Sequence, residues 1–272
     1  MPARVVTFLS DYGLRDDFVG VCHGVLARVA PTARVIDVTH GVHRHDVRAG
    51  ALVLRRALPF MPAGVHLAIV DPGAGVERRA VALRCAEEDR ILVGPDNGLL
   101  SLAAQRFGGV AEAVDVSRSP HRLAHGAVTF LGRDLLAPVA GALAAGAELA
   151  DAGEPIASDE VVRLDMPLAS VEVDADSGRD VLVAHAIGFD VFGNVTLDVE
   201  HEELTGVGLR LGRPVYVEER EAHYATTFAD VRPGGLLLYE DAYRTLSLAV
   251  NRGSAREQLE LDLDDVVRIS VG

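Results

Sequence analysis

VVTFLSDYGLRDDFVGVCHGVLARVAPTARVIDV, residues 5–38, is the stretch whose reading decides the architecture. Val5–Leu9 is a short apolar run rich in β-branched residues, which reads as a buried strand. Phe18–Val29 carries apolar residues at helical spacing and is stopped by Pro31. Arg34–Val38 is a second strand. A strand, a helix and a strand in succession imply parallel pairing through a right-handed crossover. The same alternation runs outward from there. Val47–Leu58 reads as a helix with Pro59 just beyond it, and Val65–Val70, Ala80–Arg84 and Ile91–Val93 read as strands. Leu99–Phe107 is helical and stops at Gly108-Gly109, Ala113–Val116 is a strand, and Leu135–Ala145 is a helix rich in Ala and Leu. The expected fold is an α/β domain with a mainly parallel sheet over residues 1–165.

Near residue 165 the pattern changes. Val181–Ile187, Val195–Val199, Arg213–Val217, Leu236–Leu238, Leu259–Leu263 and Val266–Val271 are short β-rich segments separated by Gly, Pro and Asp. They predict a smaller all-β, barrel-like domain over residues 166–272. Asp151-Ala-Gly-Glu-Pro155 and the stretch around Met166-Pro167 read as the connection.

Composition narrows the function. The chain has 272 residues, 49% hydrophobic and 24% charged, enough for a sizeable core. A net charge of −14 argues against nucleic acid or an anionic membrane as partner. All 26 basic residues are Arg. Without Lys there is no Schiff-base lysine and no P-loop lysine. The two cysteines, Cys22 and Cys85, form no metal-type pair, so a reducing cytoplasm is the expected location. The start, MPARVVTFLSDYG, has too short an apolar run for a signal peptide, and no run approaches a membrane span.

In an open α/β sheet ligands bind at the carboxyl ends of the strands. The loops expected there are Ser10-Asp11-Tyr12-Gly13 with Asp16-Asp17, Thr39-His40, Asp71-Pro72-Gly73-Ala74-Gly75 with Arg78-Arg79, and Pro95-Asp96-Asn97-Gly98. Each alone is an ordinary polar turn. Four on one inferred edge are harder to read as turns alone and point to a site. A carboxylate such as Asp11 suits the vicinal hydroxyls of a ribose, and others suit an ammonium or a cationic centre. Asp16 and Asp17 also suit capping of the following helix. The Arg78-Arg79 pair reads as an ordinary surface pair for Arg79, but not for Arg78. His40, His43, His45 and Asp46 could hold a metal, although alternate residues in a polar loop are more often a solvated turn. The expectation is no metal and no cofactor.

SDYGLRDDFVG (10–20), VDPGAGVERRAVAL (70–83), GPDNGLL (94–100), TFLGRDLLAP (129–138), DVFGNV (190–195), TTFAD (226–230) and LSLAVNRGSA (246–255) follow one another across nearly the whole chain. Together they resemble the S-adenosyl-L-methionine (SAM) hydroxide adenosyltransferases, hydrolytic relatives of fluorinase and chlorinase. The resemblance implies an N-terminal α/β domain, a C-terminal β-barrel and a homotrimer with sites between neighbouring subunits. It implies hydrolysis of SAM to adenosine and L-methionine by attack of water or hydroxide on C5′. Asp71 and Arg78 match the family's water-activating pair. Asp11 matches the ribose ligand, and Asp16 and Asp190 the carboxylates that hold the methionine ammonium. Asn194 matches an adenine contact and Phe228 an aromatic that stacks on adenine, against the plainer readings of a hairpin turn and a core side chain. Asn251, Arg252, Gly253 and Ala255 match the loop whose backbone meets the adenine edge.

Two positions depart from the family. Leu131 stands where the hydrolases carry a His, and Leu cannot hydrogen-bond water or move a proton. His125 is a conceivable substitute. Ala242, in Asp241-Ala242-Tyr243-Arg244, replaces a Ser that meets the methionine carboxylate. These departures motivate two competing readings, a non-catalytic SAM or adenosine binder and a halogenase-like adenosyltransferase. An anionic Asp71 should repel halide, which argues against the second.

Overall fold

A computed structural model describes residues 5–73, 78–124, 129–174, 178–201 and 208–271. The chain divides into two compact units, Met1–Leu164 and Asp165–Gly272.

The first unit is a seven-stranded sheet with helices. Its strands are β1 (Val5–Ser10), β2 (Val35–Thr39), β3 (Gly64–Ile69), β4 (Ala80–Cys85), β5 (Ile91–Pro95), β6 (Val110–Asp115) and β7 (Glu154–Ile156). Its helices are α1 (Phe18–Val29), α2 (Val47–Ala57), α3 (Ser101–Arg106), α4 (Ala137–Ala144) and α5 (Leu149–Ala152). The strand order is β2-β1-β3-β5-β4-β6-β7. β2, β1, β3 and β5 pair in parallel. β4 pairs antiparallel with both β5 and β6, and β7 antiparallel with β6. The sheet is therefore mainly parallel, with two reversals that simple alternation did not predict. Among the described residues no helix separates β3, β4 and β5, and the Ala86–Arg90 link is too short for a crossover, so β4 must turn back on β5.

α1 buries Val19, Cys22, Val25 and Leu26, residues three or four apart, in the main core. α2 starts where Asp46 accepts the Ala49 amide at 2.8 Å, a side-chain cap. It ends at Ala57 rather than Leu58, because Pro59 draws the last residues into a 3₁₀ turn, Leu58–Phe60. α3 is shorter at both ends than the expected Leu99–Phe107. A π turn, Gly132–Leu136, precedes α4. Pro138 explains it. Proline has no amide to offer the Asp134 carbonyl four residues back, and that carbonyl accepts the Leu123 amide at 2.9 Å instead. The stretch 151–155, expected as connection, instead completes α5 and begins β7 at the sheet edge.

The second unit is a closed seven-stranded barrel with one extra strand. Its elements are β8 (Ser170–Val173), β9 (Asp180–Phe189), β10 (Val195–Glu200), β11 (Pro214–Val217), β12 (Arg220–Tyr224), β13 (Leu236–Glu240), β14 (Thr245–Val250), α6 (Ala255–Leu259) and β15 (Val266–Val271). The order β10-β14-β13-β12-β11-β15-β9 closes because β9 also pairs with β10. β9 is long enough to pair with β8 through its first half and with β10 through its second. Closure removes most free edges. The expected strand Leu259–Leu263 is absent. Ser254 accepts the Glu257 amide at 3.1 Å and caps α6, and Glu260 ends it in the left-handed region at φ 55°. The Ser-x-x-Glu signal outweighed the alternation of Leu-Glu-Leu-Asp-Leu.

A buried polar network stiffens the middle of the first sheet. Thr7 and His66 face each other in register on β1 and β3, with Thr7 Oγ1 2.8 Å from His66 Nδ1. Arg90 Nη1 lies 3.2 Å from His66 Nε2. Arg can only donate, so Nε2 accepts and Nδ1–H donates to Thr7. Burial, then the Arg90 charge, pushes the imidazole down to about 3. An unfolded His titrates near about 6.5. As pH falls below that value the unfolded chain takes up a proton that the folded chain refuses, so stability should fall. Wild type should lose about 2 kcal/mol more than His66→Gln between pH 7 and pH 5. Urea midpoints at the two pH values measure this, and parallel losses would exclude His66 as the source.

Candidate functional site

In the first unit the reversed β4 brings two of the candidate site residues together. Its start, Ala80, lies opposite Pro95 at the end of β5. Arg78 therefore stands at the same edge as the carboxyl end of β3, where Asp71 follows Val70. Arg78 Nη1 donates to Asp71 Oδ1 at 2.9 Å, and the Gly73 amide donates to the same oxygen at 3.1 Å. The Asp71 side chain is 11% exposed and that of Arg78 33%, so the pair is sheltered yet reachable. A Cβ at Gly73 would come within 2.6 Å of Arg78 Nη2, so a larger residue there would displace the guanidinium from this position. Asn97 Nδ2 donates to the Val70 carbonyl at 2.8 Å and steadies the strand end from which Asp71 projects. Arg78 also borders a groove of about 500 Å³ along the ends of β6 and β7, with Asp115, Arg118 and Glu154.

Asp11 joins this edge directly. Its amide donates to the Ile69 carbonyl at 3.3 Å, and its Oδ2 accepts the His45 amide at 2.9 Å. Tyr12, next to Asp11 in the chain, also feels the Asp71 charge. Burial is the main cause that pushes its hydroxyl well above the usual range, with the Cys22, Asp11 and Asp71 charges adding. Tyr12 thus stays protonated within electrostatic reach of both carboxylates. Its hydroxyl lies against Gly132, where any side chain would collide with it. Its ring packs with Phe18 and Phe130 at centroid distances of 5.6 and 5.9 Å. Leu131 is half-buried and packs on the apolar core. His125 lies outside the described residues, as do Ala74 and Gly75.

In the second unit Phe192, Asn194, Phe228, Val250, Arg252 and Gly253 line one cavity of about 490 Å³. Phe228 is 45% exposed and stacks obliquely on Tyr239 at 5.3 Å, so it is not a core residue. Asp190 Oδ1 accepts the amides of Phe192 and Asn194 at 2.8 and 2.9 Å, and its Oδ2 accepts Asn194 Nδ2 at 2.7 Å. The carboxylate expected to meet an ammonium is thereby also the clasp of its own turn. Gly193, at φ 78°, lets this turn press on Ser254, where a side chain would clash. Asn251 is braced on all sides. Its Nδ2 donates to the Val231 carbonyl at 2.7 Å, its amide to Gly235 and its carbonyl accepts from Gly234. The Gly253 amide bonds to Val250. Ala255 is fully buried in the barrel core, so only its backbone could meet a ligand.

Other expectations need correction. Asp17 stands at the N-cap position of α1 but its side chain caps nothing, and Asp16 is exposed. Arg79 is no loose surface residue. It bonds buried Asp96 through Nε at 2.7 Å and the Glu160 carbonyl through Nη2 at 2.6 Å. Asp96 also accepts the Val162 amide at 2.9 Å. The His40, His43, His45 group is split, with His40 buried, His43 and His45 exposed, and Asp46 serving as the α2 cap. Asp241 accepts the amides of Tyr243 and Thr245 and leaves Ala242 exposed at the turn. Sequence reasoning assigned no role to Tyr12, Asn97 or Phe192, although each stands inside a motif it singled out.

The SAM hydroxide adenosyltransferase N-terminal domain profile matches residues 6–153, and the C-terminal domain profile matches residues 184–268. A protein named (R)-S-adenosyl-L-methionine hydrolase from Salinispora tropica is 46% identical, covering 100% of this chain and 99% of that one. A protein of the same name from Thermus thermophilus is 37% identical over 98% of this chain and 99% of its own. A fluorinase from Nocardia brasiliensis is 28% identical over 98% and 97%. The crystal structure of an uncharacterized conserved protein from Thermotoga maritima superposes with a TM-score of 0.87 at 33% identity, covering 97% of this chain and 99% of that one.

Proposed function

The chain belongs to the SAM hydroxide adenosyltransferase family, and we infer that it is a hydrolase that cleaves S-adenosyl-L-methionine to adenosine and L-methionine. The relatives' name points to the R epimer at sulfur as the substrate form. The observation that carries the reading is the sheltered Asp71–Arg78 pair, beside Asp11 at one sheet edge.

The sulfonium makes methionine a good leaving group, so the protein's task is to aim a water and exclude others. Both described hydrogen bonds to Asp71 fall on Oδ1. Oδ2 is then the oxygen that orients the water and takes its proton as the new C–O bond forms and the C–S bond breaks. The bond electrons leave with sulfur, which departs as a neutral thioether, and the proton passes from Asp71 to solvent. Arg78 stabilises hydroxide character on the attacking oxygen. Asp11 binds the ribose hydroxyls. Asp16 and Asp190 hold the methionine ammonium. Asn194 and Phe228, with the backbone from Asn251 to Ala255, hold adenine. An anionic Asp71 disfavours halide as the nucleophile.

The ribose and water residues of one subunit would work with the adenine cavity of a neighbour in a homotrimer. A cytoplasmic location suits two free, buried cysteines. No helix among the described residues is long and apolar enough to cross a membrane. Chromatography after incubation with SAM, with and without chloride, tests the function. Stoichiometric adenosine and methionine are expected in both cases. SAM bound but unchanged would make the protein a binder, and a 5′-halonucleoside formed only with halide would make it a halogenase.

A further inference from the structure

Folding brings together three side chains that the proposed hydrolysis does not use. His23 comes from α1, Asp37 from β2 and His40 from the loop after β2. Asp37 Oδ1 lies 2.8 Å from His23 Nε2 and 3.1 Å from His40 Nε2. One ligand atom from each of the three lies within 4.8 Å of the others. The His40 side chain is 3% exposed, and its buried Nε2, although 3.1 Å from Asp37 Oδ1, makes no hydrogen bond of good geometry. A buried ring nitrogen close to a carboxylate and near a second imidazole, without a well-formed hydrogen bond, is a group that a bound ion would satisfy.

We propose that His23, Asp37 and His40 form a binding site for a divalent transition-metal ion of zinc type. Two imidazoles and one carboxylate are a donor set for zinc, with the fourth position left to water. Tetrahedral bonds of about 2.0–2.1 Å hold ligand atoms roughly 3.4 Å apart. To reach that spacing the Asp37 contacts, now 2.8 and 3.1 Å, would open by about 0.3–0.6 Å, and the imidazole nitrogens, within 4.8 Å of each other, would close toward it. His40 Nδ1 lies 2.8 Å from Ser10 Oγ. With an ion bound, Nδ1–H would donate to that hydroxyl and leave the Nε2 lone pair for the metal. Phe8 packs against both imidazoles, at 4.6 Å from His40 and 6.0 Å from His23, and restricts their rotation. The side chains of His23 and Asp37 are 34% and 45% exposed, which gives an ion a way in.

The site adjoins the ribose loop without sharing its residues. The His40 carbonyl accepts the Gly13 amide at 2.7 Å, and Ser10 precedes Asp11 in the chain. A bound ion would brace the loop Ser10–Gly13 from behind.

The test uses metal-stripped, full-length protein without a histidine tag. Zinc is titrated calorimetrically, and cobalt(II) is followed by its visible ligand-field bands. One ion per chain is expected, with the intense cobalt spectrum of a tetrahedral site. His23→Ala and Asp37→Asn should each weaken binding by at least about tenfold. Both residues are partly exposed, and circular dichroism checks that the variants fold. Loss of affinity in both variants supports the site. No binding by the wild-type protein, or affinity retained in either variant, overturns it.

Discussion

Asp71→Asn is expected to slow adenosine release by about 10²–10⁴-fold, while the Kd for SAM changes by no more than a few-fold. The substitution is nearly isosteric. The amide oxygen of Asn can still accept from Arg78 and Gly73, the two donors now on Oδ1. The loop and the Arg78 guanidinium therefore keep their places. What disappears is the negative charge and the ability to take a proton from water. Leu131 packs on the apolar core and offers no acceptor in its stead. Single-turnover product analysis combined with calorimetric binding separates the two quantities. Turnover within a few-fold of wild type would remove Asp71 as proton acceptor. A large loss of affinity would make it a binding residue instead.

Phe228→Ala should act in the opposite way, raising KM by about 5–150-fold with kcat little changed. Stacking of an aromatic side chain on a base is worth about 1–3 kcal/mol by alanine substitution. Phe228 presents its ring in the cavity it shares with Asn194 and Arg252. Its backbone is held independently of the ring. Thr227 and Asp230 form a reciprocal cap, and Asp230 Oδ2 accepts the amides of Thr226 and Thr227 at 3.1 and 2.9 Å. Removing the ring should therefore leave the turn in place. Phe228→Trp should restore most of the lost affinity. Steady-state kinetics with SAM measures both variants, and an unchanged KM in Phe228→Ala would take the ring out of the adenine site.

Much of the fold was legible from local pattern. Phe18–Val29 is a helix with the bounds its periodicity indicated, because its apolar stripe and Pro31 both act within a few residues. β12 was not legible, because Arg220-Glu-Ala-His-Tyr224 is mostly polar and is held as a strand by its partners β11 and β13. Thr245–Val250 was noticed only as part of a motif, yet it is a full barrel strand between β10 and β13. The π turn at Gly132 was hidden because its cause, the missing amide of Pro138, acts through a carbonyl that finds a partner in Leu123.

The sequence by itself determined the class of each half and the family, and singled out the loops proposed to carry chemistry, since apolar period, turn residues and motif order are properties of neighbours along the chain. Only the tertiary structure decided that β4 runs backward and so sets Arg78 on Asp71, and that Arg79 is a clasp on Asp96 rather than a surface charge. It alone drew His40 away from His43 and His45 and set it beside Asp37 and His23. Strand direction and long-range side-chain meetings depend on which faces must be buried together, and that is a property of the whole packed unit.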